Sequence, residues 1–115
     1  MSQALPQSTR VVVIGGGVMG CSTLYHLAQA GAADAVLLER DKLTSGTTWH
    51  SAAQVRRLRS SRSLTRLVSH SAELYAGLEA ETGQSTGWLR TGSMGVATNP
   101  DRWEHLRRQA SLAHA

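Results

Sequence analysis

The feature that most constrains the fold is the run GGGVMG at residues 15–20, which has the glycine spacing G-x-G-x-x-G. An apolar, β-branched run, VVVI (11–14), stands directly before it and is typical of a fully buried strand. Apolar residues then recur at helical spacing over 18–30, and AVLLE (35–39) indicates a second buried strand. The pattern predicts a strand, a glycine turn, a helix and a parallel strand, which together form a βαβ unit.

The three glycines of this spacing have separate tasks where such a turn binds a dinucleotide. Gly15 permits the tight turn, Gly17 lets backbone amides approach a pyrophosphate, and Gly20 lets the helix pack close to the strand. The phosphates then lie at the positive end of the helix dipole. Glu39 ends the second strand, where a carboxylate accepts hydrogen bonds from ribose hydroxyls and repels the 2′-phosphate of NADP. These residues alone leave both a nicotinamide and a flavin dinucleotide open.

The remainder of the chain does not repeat this pattern. Residues 44–54 are predicted to form a loop that runs into a helix start, and an amphipathic helix follows with apolar positions over 64–78. Residues 88–97 indicate two short strands joined by a turn at Gly92, and Asn-Pro at 99–100 indicates the start of a last helix. Because no third strand–helix pair follows residue 40, we interpret the chain as the N-terminal piece of a larger α/β protein.

Three segments follow from this interpretation. Residues 1–9 are a tail, residues 10–55 are the dinucleotide-binding βαβ segment, and residues 56–115 are a helix, a short strand pair and the start of a further helix that lead toward a second, incomplete domain.

Composition narrows the classes of function. The formal net charge is +4, and the arginines are concentrated over 56–66 without interleaved aromatic residues, so we expect a solvated helix start and no nucleic-acid partner. A single cysteine, Cys21, excludes an intramolecular disulfide and a multi-cysteine zinc site, and the histidines show no paired metal-ligand spacing, so no metal is assigned. No apolar run is long enough to span a membrane. Because the residues before the first strand lack a targeting pattern, a cytoplasmic protein is expected.

Residues 11–54 resemble the start of the dimethylglycine dehydrogenase and sarcosine dehydrogenase family, within the D-amino-acid-oxidase-like flavoproteins. The resemblance continues through LRSSRSLTRL, AELYAGLEAETGQ and RTGS, and it covers nearly all of the chain from residue 10 onward. Its most specific part is LTSGTTWH, residues 43–50. The resemblance implies a Rossmann-like FAD-binding unit in the α/β class, followed by the opening elements of a substrate domain.

The resemblance also implies roles for individual residues. Val18 and Met19 belong to the pyrophosphate turn, and Glu39 and Arg40 hold the adenosine; a solvated charge at the strand end is the alternative for Arg40. In the family, a histidine carries FAD covalently through the 8α-methyl group, and by position this residue is His50. The residues expected around the flavin are Gly46, Thr47, Thr48, Trp49, His50, Ser51, Ala52, Ala53 and Gln54. The family commonly has glycine where this chain has Ala53.

The reaction that the resemblance implies is oxidation of an N-methyl amine such as sarcosine or dimethylglycine. A hydride passes to the flavin and leaves an iminium, which is hydrolysed or trapped on tetrahydrofolate in a C-terminal part. The protein places the substrate carbon, and the redox chemistry belongs to the cofactor. No catalytic residue and no electron acceptor can be assigned. Two alternatives stay open, namely a D-amino-acid-oxidase-like oxidase with dissociable FAD and an inactive truncated fragment.

Overall fold

The computed structural model describes residues 6–113. Residues 1–5 of the predicted tail and residues 114–115 of the predicted last helix lie outside the described residues. The chain divides into two compact units, one ending at Ala52 and one beginning at Ala53, and each is described by itself. No helix within 6–113 is both long enough and apolar enough to cross a membrane.

The first unit contains the predicted βαβ arrangement. Strand β1 (Val11–Ile14) leads into helix α1 (Val18–Gln29), and strand β2 (Ala35–Leu38) follows. The two strands pair in parallel, with Val11 opposite Ala35 and Ile14 opposite Leu38. Helix α1 and strand β2 each end one residue earlier than the sequence pattern predicted. The α/β class and the order of elements are therefore confirmed.

Helix α1 packs against both strands and covers one face of this small sheet. On the other face, the side chains of Val12, Ile14 and Leu38 are 49%, 85% and 41% exposed. The prediction of fully buried strands is therefore wrong for the described residues. A strand becomes buried on both faces only when elements pack on both sides of its sheet, and α1 supplies one side.

The second unit begins with a stretch without regular secondary structure and then forms helix α2 (Arg62–Thr82). Ser61 caps its start, because the Ser61 hydroxyl oxygen accepts a hydrogen bond from the Leu64 amide at 3.3 Å. Gly83 ends the helix in the left-handed region at φ 72°, as its position in the sequence indicated. Ala72, on the predicted apolar face, is 2% exposed.

Helix α3 (Pro100–Ala113) is the last described element. The Arg102 amide donates to the side-chain oxygen of Asn99 at 2.8 Å, which confirms the predicted N-cap. A Cβ atom added at Gly95 would lie 2.7 Å from a methyl carbon of Leu106, so the chain before α3 lies directly against this helix.

The predicted strand pair over 88–97 is wrong, because the described residues contain no strand between α2 and α3. Gly92 does have a positive φ of 78°, at the place where a turn was expected. Strands are stable only with a hydrogen-bonded partner and a buried face. The large apolar side chains of this segment lack such a face, and the exposed ones are Leu89, Met94 and Val96.

Candidate functional site

The glycine turn joins β1 to α1 at the carboxyl end of the sheet. Gly15 has a φ of 102°, which residues with a side chain rarely adopt, and its amide donates to the Leu38 carbonyl at 2.8 Å. A Cβ atom at Gly20 would collide with the Gly15 carbonyl oxygen. These two glycines are therefore required by the local geometry, for the reasons that the sequence spacing suggested.

The carboxylate of Glu39 lies against the same turn. One oxygen accepts a hydrogen bond from the Gly16 amide at 2.6 Å, and the other accepts from the Asp41 amide at 3.0 Å. These bonds, Gly16 first and Asp41 second, lower the pKa of Glu39, and the charge of Arg40 adds to the effect. The carboxylate is thus ionised at neutral pH, and each oxygen has a further lone pair with which to accept a hydroxyl group.

Gly16 is a site residue to which the sequence reasoning assigned no role. It is buried, and a Cβ atom there would lie 2.6 Å from a methyl carbon of Leu43 and 3.0 Å from the Cβ of Glu39. The Gly16 carbonyl also accepts a hydrogen bond from the Thr44 amide at 2.8 Å. The signal in the sequence was the unbroken series of three glycines at 15–17, where the spacing rule needs only two.

Residues 46–51, here called the histidine turn, form a series of tight turns. Within it, three amides each donate to the carbonyl three residues earlier: Trp49 to Gly46 at 3.1 Å, His50 to Thr47 at 3.1 Å, and Ser51 to Thr48 at 3.2 Å. The His50 Nδ1 atom lies 3.0 Å from the Gly46 carbonyl oxygen. Because a carbonyl can only accept, Nδ1 carries the proton in this contact, and in the neutral imidazole the Nε2 atom has the free lone pair.

A side chain of the histidine turn also bonds to the glycine turn. The Val18 amide, the first in α1, donates to the Thr48 hydroxyl oxygen at 2.9 Å. A Cβ atom at Gly17 would lie 3.0 Å from the same oxygen, so this approach is close. The structure therefore brings together Gly17, Val18 and Thr48, with His50 two residues further along.

The other residues of the first unit that are expected around a cofactor are exposed. Met19 and Trp49 are each 79% exposed. Arg40, Thr47, Ser51 and Ala52 are also exposed. Ala53 and Gln54 belong to the second unit, and Gln54 accepts a hydrogen bond from Arg56 at 3.0 Å. Ala53 has a positive φ of 51°, which explains why glycine suits the corresponding position in the resembled family.

Two other features of the sequence are the potential metal ligands and the arginine-rich segment over 56–66. Within 6–113 no group of three or more His, Cys, Asp or Glu side chains is arranged to hold a metal ion. In the arginine-rich segment, Arg57 forms a 3.1 Å ion pair with Glu73 of α2, and the two side chains are 40% and 67% exposed. This contact is typical of a solvated helix surface.

The chain is similar to known flavoproteins over almost its whole length. Residues 10–115 match the family described as DAO, FAD dependent oxidoreductase. The mitochondrial sarcosine dehydrogenase of Mus musculus is 49% identical over an alignment of 115 residues that covers 99% of this chain and 12% of that protein. The mitochondrial dimethylglycine dehydrogenase of Rattus norvegicus is 44% identical over 98 residues, 85% of this chain and 11% of that protein.

A third relative has a different name. The mitochondrial pyruvate dehydrogenase phosphatase regulatory subunit of Mus musculus is 44% identical over 107 residues, 93% of this chain and 12% of that protein. The chain thus spans about 12% of the length of such relatives.

The names of these three relatives place them in mitochondria, so the expectation of a cytoplasmic protein is wrong. That expectation rested on the few residues before β1, which are too short a stretch to decide a compartment.

The family match agrees with the geometry of the turn. A parallel strand pair, a glycine turn at a helix start and a carboxylate after the second strand form the arrangement that binds a dinucleotide. The resemblance inferred from the sequence is confirmed by the identities of 44–49% to dimethylglycine and sarcosine dehydrogenases. With a match that runs from residue 10 to residue 115, the chain belongs to the DAO family of FAD-dependent oxidoreductases.

Proposed function

We propose that this chain forms the FAD-binding part of an enzyme that oxidises an N-methyl amine of the sarcosine or dimethylglycine type. The observation that carries the proposal is the 2.6 Å bond between the Glu39 carboxylate and the Gly16 amide in the glycine turn before α1, in a family that depends on FAD. The names of two relatives, sarcosine dehydrogenase and dimethylglycine dehydrogenase, support the substrate class. Tetrahydrofolate as the acceptor of the one-carbon product stays a prediction.

The glycine turn, the start of α1 and Glu39 fit the diphosphate and ribose of FAD. The first amides of α1 have no carbonyl partner within the helix, and the positive end of the helix dipole favours the diphosphate. The ionised Glu39 accepts the ribose hydroxyls, and Gly17 presents no side chain to a group that approaches the turn. When bound, FAD supplies the acceptor for the hydride that leaves the amine carbon. The residues of this chain bind the dinucleotide and orient it.

We also propose that FAD is bonded covalently to His50 through Nε2. A C–H bond of the flavin 8α-methyl group would be replaced by a C–N bond, two protons would be released, and the two electrons would pass through the flavin to an external oxidant such as dioxygen. The Gly46 carbonyl holds Nδ1 at 3.0 Å, and Nε2 is therefore the nitrogen with a free lone pair. The side chain is exposed, so a cofactor can approach the ring. The sequence context LTSGTTWH, residues 43–50, supports the same residue through the family resemblance.

Mass spectrometry of tryptic peptides tests the attachment. Cleavage after Lys42 and Arg56 releases the peptide 43–56, which contains His50. From flavin-loaded protein precipitated in acid, this peptide is expected to carry the mass of FAD. H50A should hold FAD that is released by acid, whereas H105A, which removes an exposed histidine of α3, should keep the flavin attached. An unmodified 43–56 peptide from fully loaded, active protein would refute the covalent link and leave the oxidase with dissociable FAD.

A second candidate function is FAD binding without amine oxidation. It is favoured by the relative named as a regulatory subunit, which is 44% identical to this chain. Reduction of an artificial electron-accepting dye by the flavin-loaded full-length protein, of which this chain is proposed to be one part, separates the two. Dye reduction that depends on added sarcosine or dimethylglycine supports the enzyme, and bound flavin without such reduction supports the regulatory role.

A further inference from the structure

We propose that the Thr48 hydroxyl competes with the FAD diphosphate for the start of α1, so that the diphosphate binds there only after this hydroxyl has moved away. This competition rests on the FAD site proposed above. It adds a property to that site, because a side chain of the chain itself lowers the affinity for the cofactor.

The first observation is the partner of the first amide in α1. The Val18 amide donates to the Thr48 hydroxyl oxygen at 2.9 Å. A Ser, Thr, Asp or Asn directly before a helix commonly caps its start, but the residue before α1 is Gly17, which has no side chain to do so. The capping oxygen comes instead from 30 positions further along the chain. It can therefore leave while the backbone of the glycine turn stays as it is.

The second observation is where the same oxygen lies relative to Gly17. A Cβ atom added at Gly17 would lie 3.0 Å from the Thr48 hydroxyl oxygen. Glycine at this position of the G-x-G-x-x-G spacing lets the backbone come close to a pyrophosphate. The hydroxyl thus occupies both features that the turn offers to a diphosphate, namely the first helix amide and the space without a side chain.

These two positions cannot hold both oxygens. A phosphate oxygen that accepts from a backbone amide lies about 2.7–2.9 Å from the nitrogen, and the Thr48 oxygen is already 2.9 Å from it. The amide has a single hydrogen to donate, and the charged phosphate oxygen forms the stronger bond. A bound diphosphate therefore displaces the hydroxyl, and the loss of the Thr48 bond weakens the measured affinity.

The displacement is a local movement. The bonds within the histidine turn link residues three or four positions apart, so that this turn can move as one short piece. Nearer to β2, the Thr44 amide donates to the Gly16 carbonyl at 2.8 Å, and this backbone bond needs no side chain. The loop therefore stays attached beside Glu39 when Thr48 leaves, and the carboxylate that accepts the ribose is undisturbed.

The test compares T48A, which removes the hydroxyl, with T48S, which keeps it. T47A is the matched control, because it makes the same change at the exposed threonine one residue earlier. All variants are made in the H50A background of the full-length protein, so that covalent attachment does not interfere. Equilibrium titration with FAD gives the affinity. Hydrogen–deuterium exchange of the Val18 amide in protein prepared without flavin reports on the bond itself.

We expect T48A to bind FAD about fivefold more tightly than the H50A parent. A hydrogen bond of ordinary net strength favours the bonded arrangement by about this factor, and the apparent affinity falls with the fraction of molecules that can bind. T48S and T47A should bind FAD within about twofold of the parent. The Val18 amide should exchange about fivefold faster in T48A than in the parent or in T47A.

Four results would overturn the competition. Unchanged FAD affinity in T48A would show that the hydroxyl does not compete, and weaker affinity would make Thr48 a ligand of the diphosphate. Affinity in T48S as high as in T48A would assign the effect to the methyl group. Equal exchange of the Val18 amide in T48A and the parent would show that the bond is not formed in solution. Failure of the FAD site itself is seen separately, since the H50A parent would then bind no FAD, and the competition falls with it.

Discussion

The same substitution, glycine to alanine, is expected to have opposite effects in two helices of this chain. Gly77 lies within α2, and a Cβ atom there would meet nothing within 4 Å. Gly20 lies within α1, and a Cβ atom there would collide with the Gly15 carbonyl oxygen. Alanine is favoured over glycine in a helix interior by about 1 kcal/mol. G77A should therefore raise the free energy of unfolding by about 1 kcal/mol.

G20A has the same gain in helix propensity, but the collision outweighs it. The atom in the way belongs to the backbone, so no side chain can rotate aside, and α1 has to move away from β1. Overpacking of this kind costs about 1–3 kcal/mol. Since a backbone clash lies at the upper end of that range, the net loss of stability is about 2 kcal/mol. A displaced α1 also withdraws its first amides from the diphosphate, and losing one charge-assisted hydrogen bond weakens FAD binding about tenfold or more.

Urea unfolding and FAD titration measure both quantities on the parent, G20A and G77A proteins. The titration uses the H50A background, so that covalent attachment does not interfere. If G20A unfolds at the urea concentration of the parent and binds FAD with the same affinity, the close approach of α1 to β1 does not limit this position, and the reasoning is refuted.

Three more predictions concern the Glu39 carboxylate, the positive φ of Ala53 and the Asn99 cap of α3. Backbone hydrogen bonds lower the pKa of Glu39 below its ordinary 4.5, so the stabilising contribution of the carboxylate is complete above pH 4.5 and is lost as the pH falls through the lowered value. The free energy of unfolding of the parent should therefore drop more steeply below pH 4.5 than that of E39Q. Parallel plots of unfolding free energy against pH for the two proteins would contradict this. A53G should raise the free energy of unfolding by about 0.5–1 kcal/mol, because alanine is strained at a φ of 51°, and a lower urea midpoint would argue against strain there. N99A should lower the free energy of unfolding by about 1 kcal/mol through loss of the α3 cap, which an unchanged urea midpoint would disprove.

The elements that could be predicted from the sequence are those whose signals are local. A β-branched run, a glycine spacing and a helical apolar period lie within 11–38, and the structure has β1, α1 and β2 there. The caps at Asn99 and Gly83 were also predictable, because a cap depends on residues next to it. Local patterns were sufficient wherever the interaction spans only a few residues.

The features that could not be predicted depend on distant partners. Residues 88–97 have a strand-like pattern, but a strand needs a neighbouring strand with which to form hydrogen bonds. The pattern does not indicate whether such a strand is present. The bond between Thr48 and the Val18 amide joins residues 30 positions apart, and nothing in either local sequence indicates it. The part played by Gly16 likewise follows only from where Leu43 and Glu39 lie.

The open face of the small sheet has a consequence for how the protein behaves while it is being made. Val12, Ile14 and Leu38 form an apolar surface as soon as β1 and β2 have paired, and the backbone groups at the outer edges of the two strands can pair with other chains. Such a surface is a target for chaperones and a starting point for aggregation. Early covering of this face should therefore raise the yield of soluble protein in a cell.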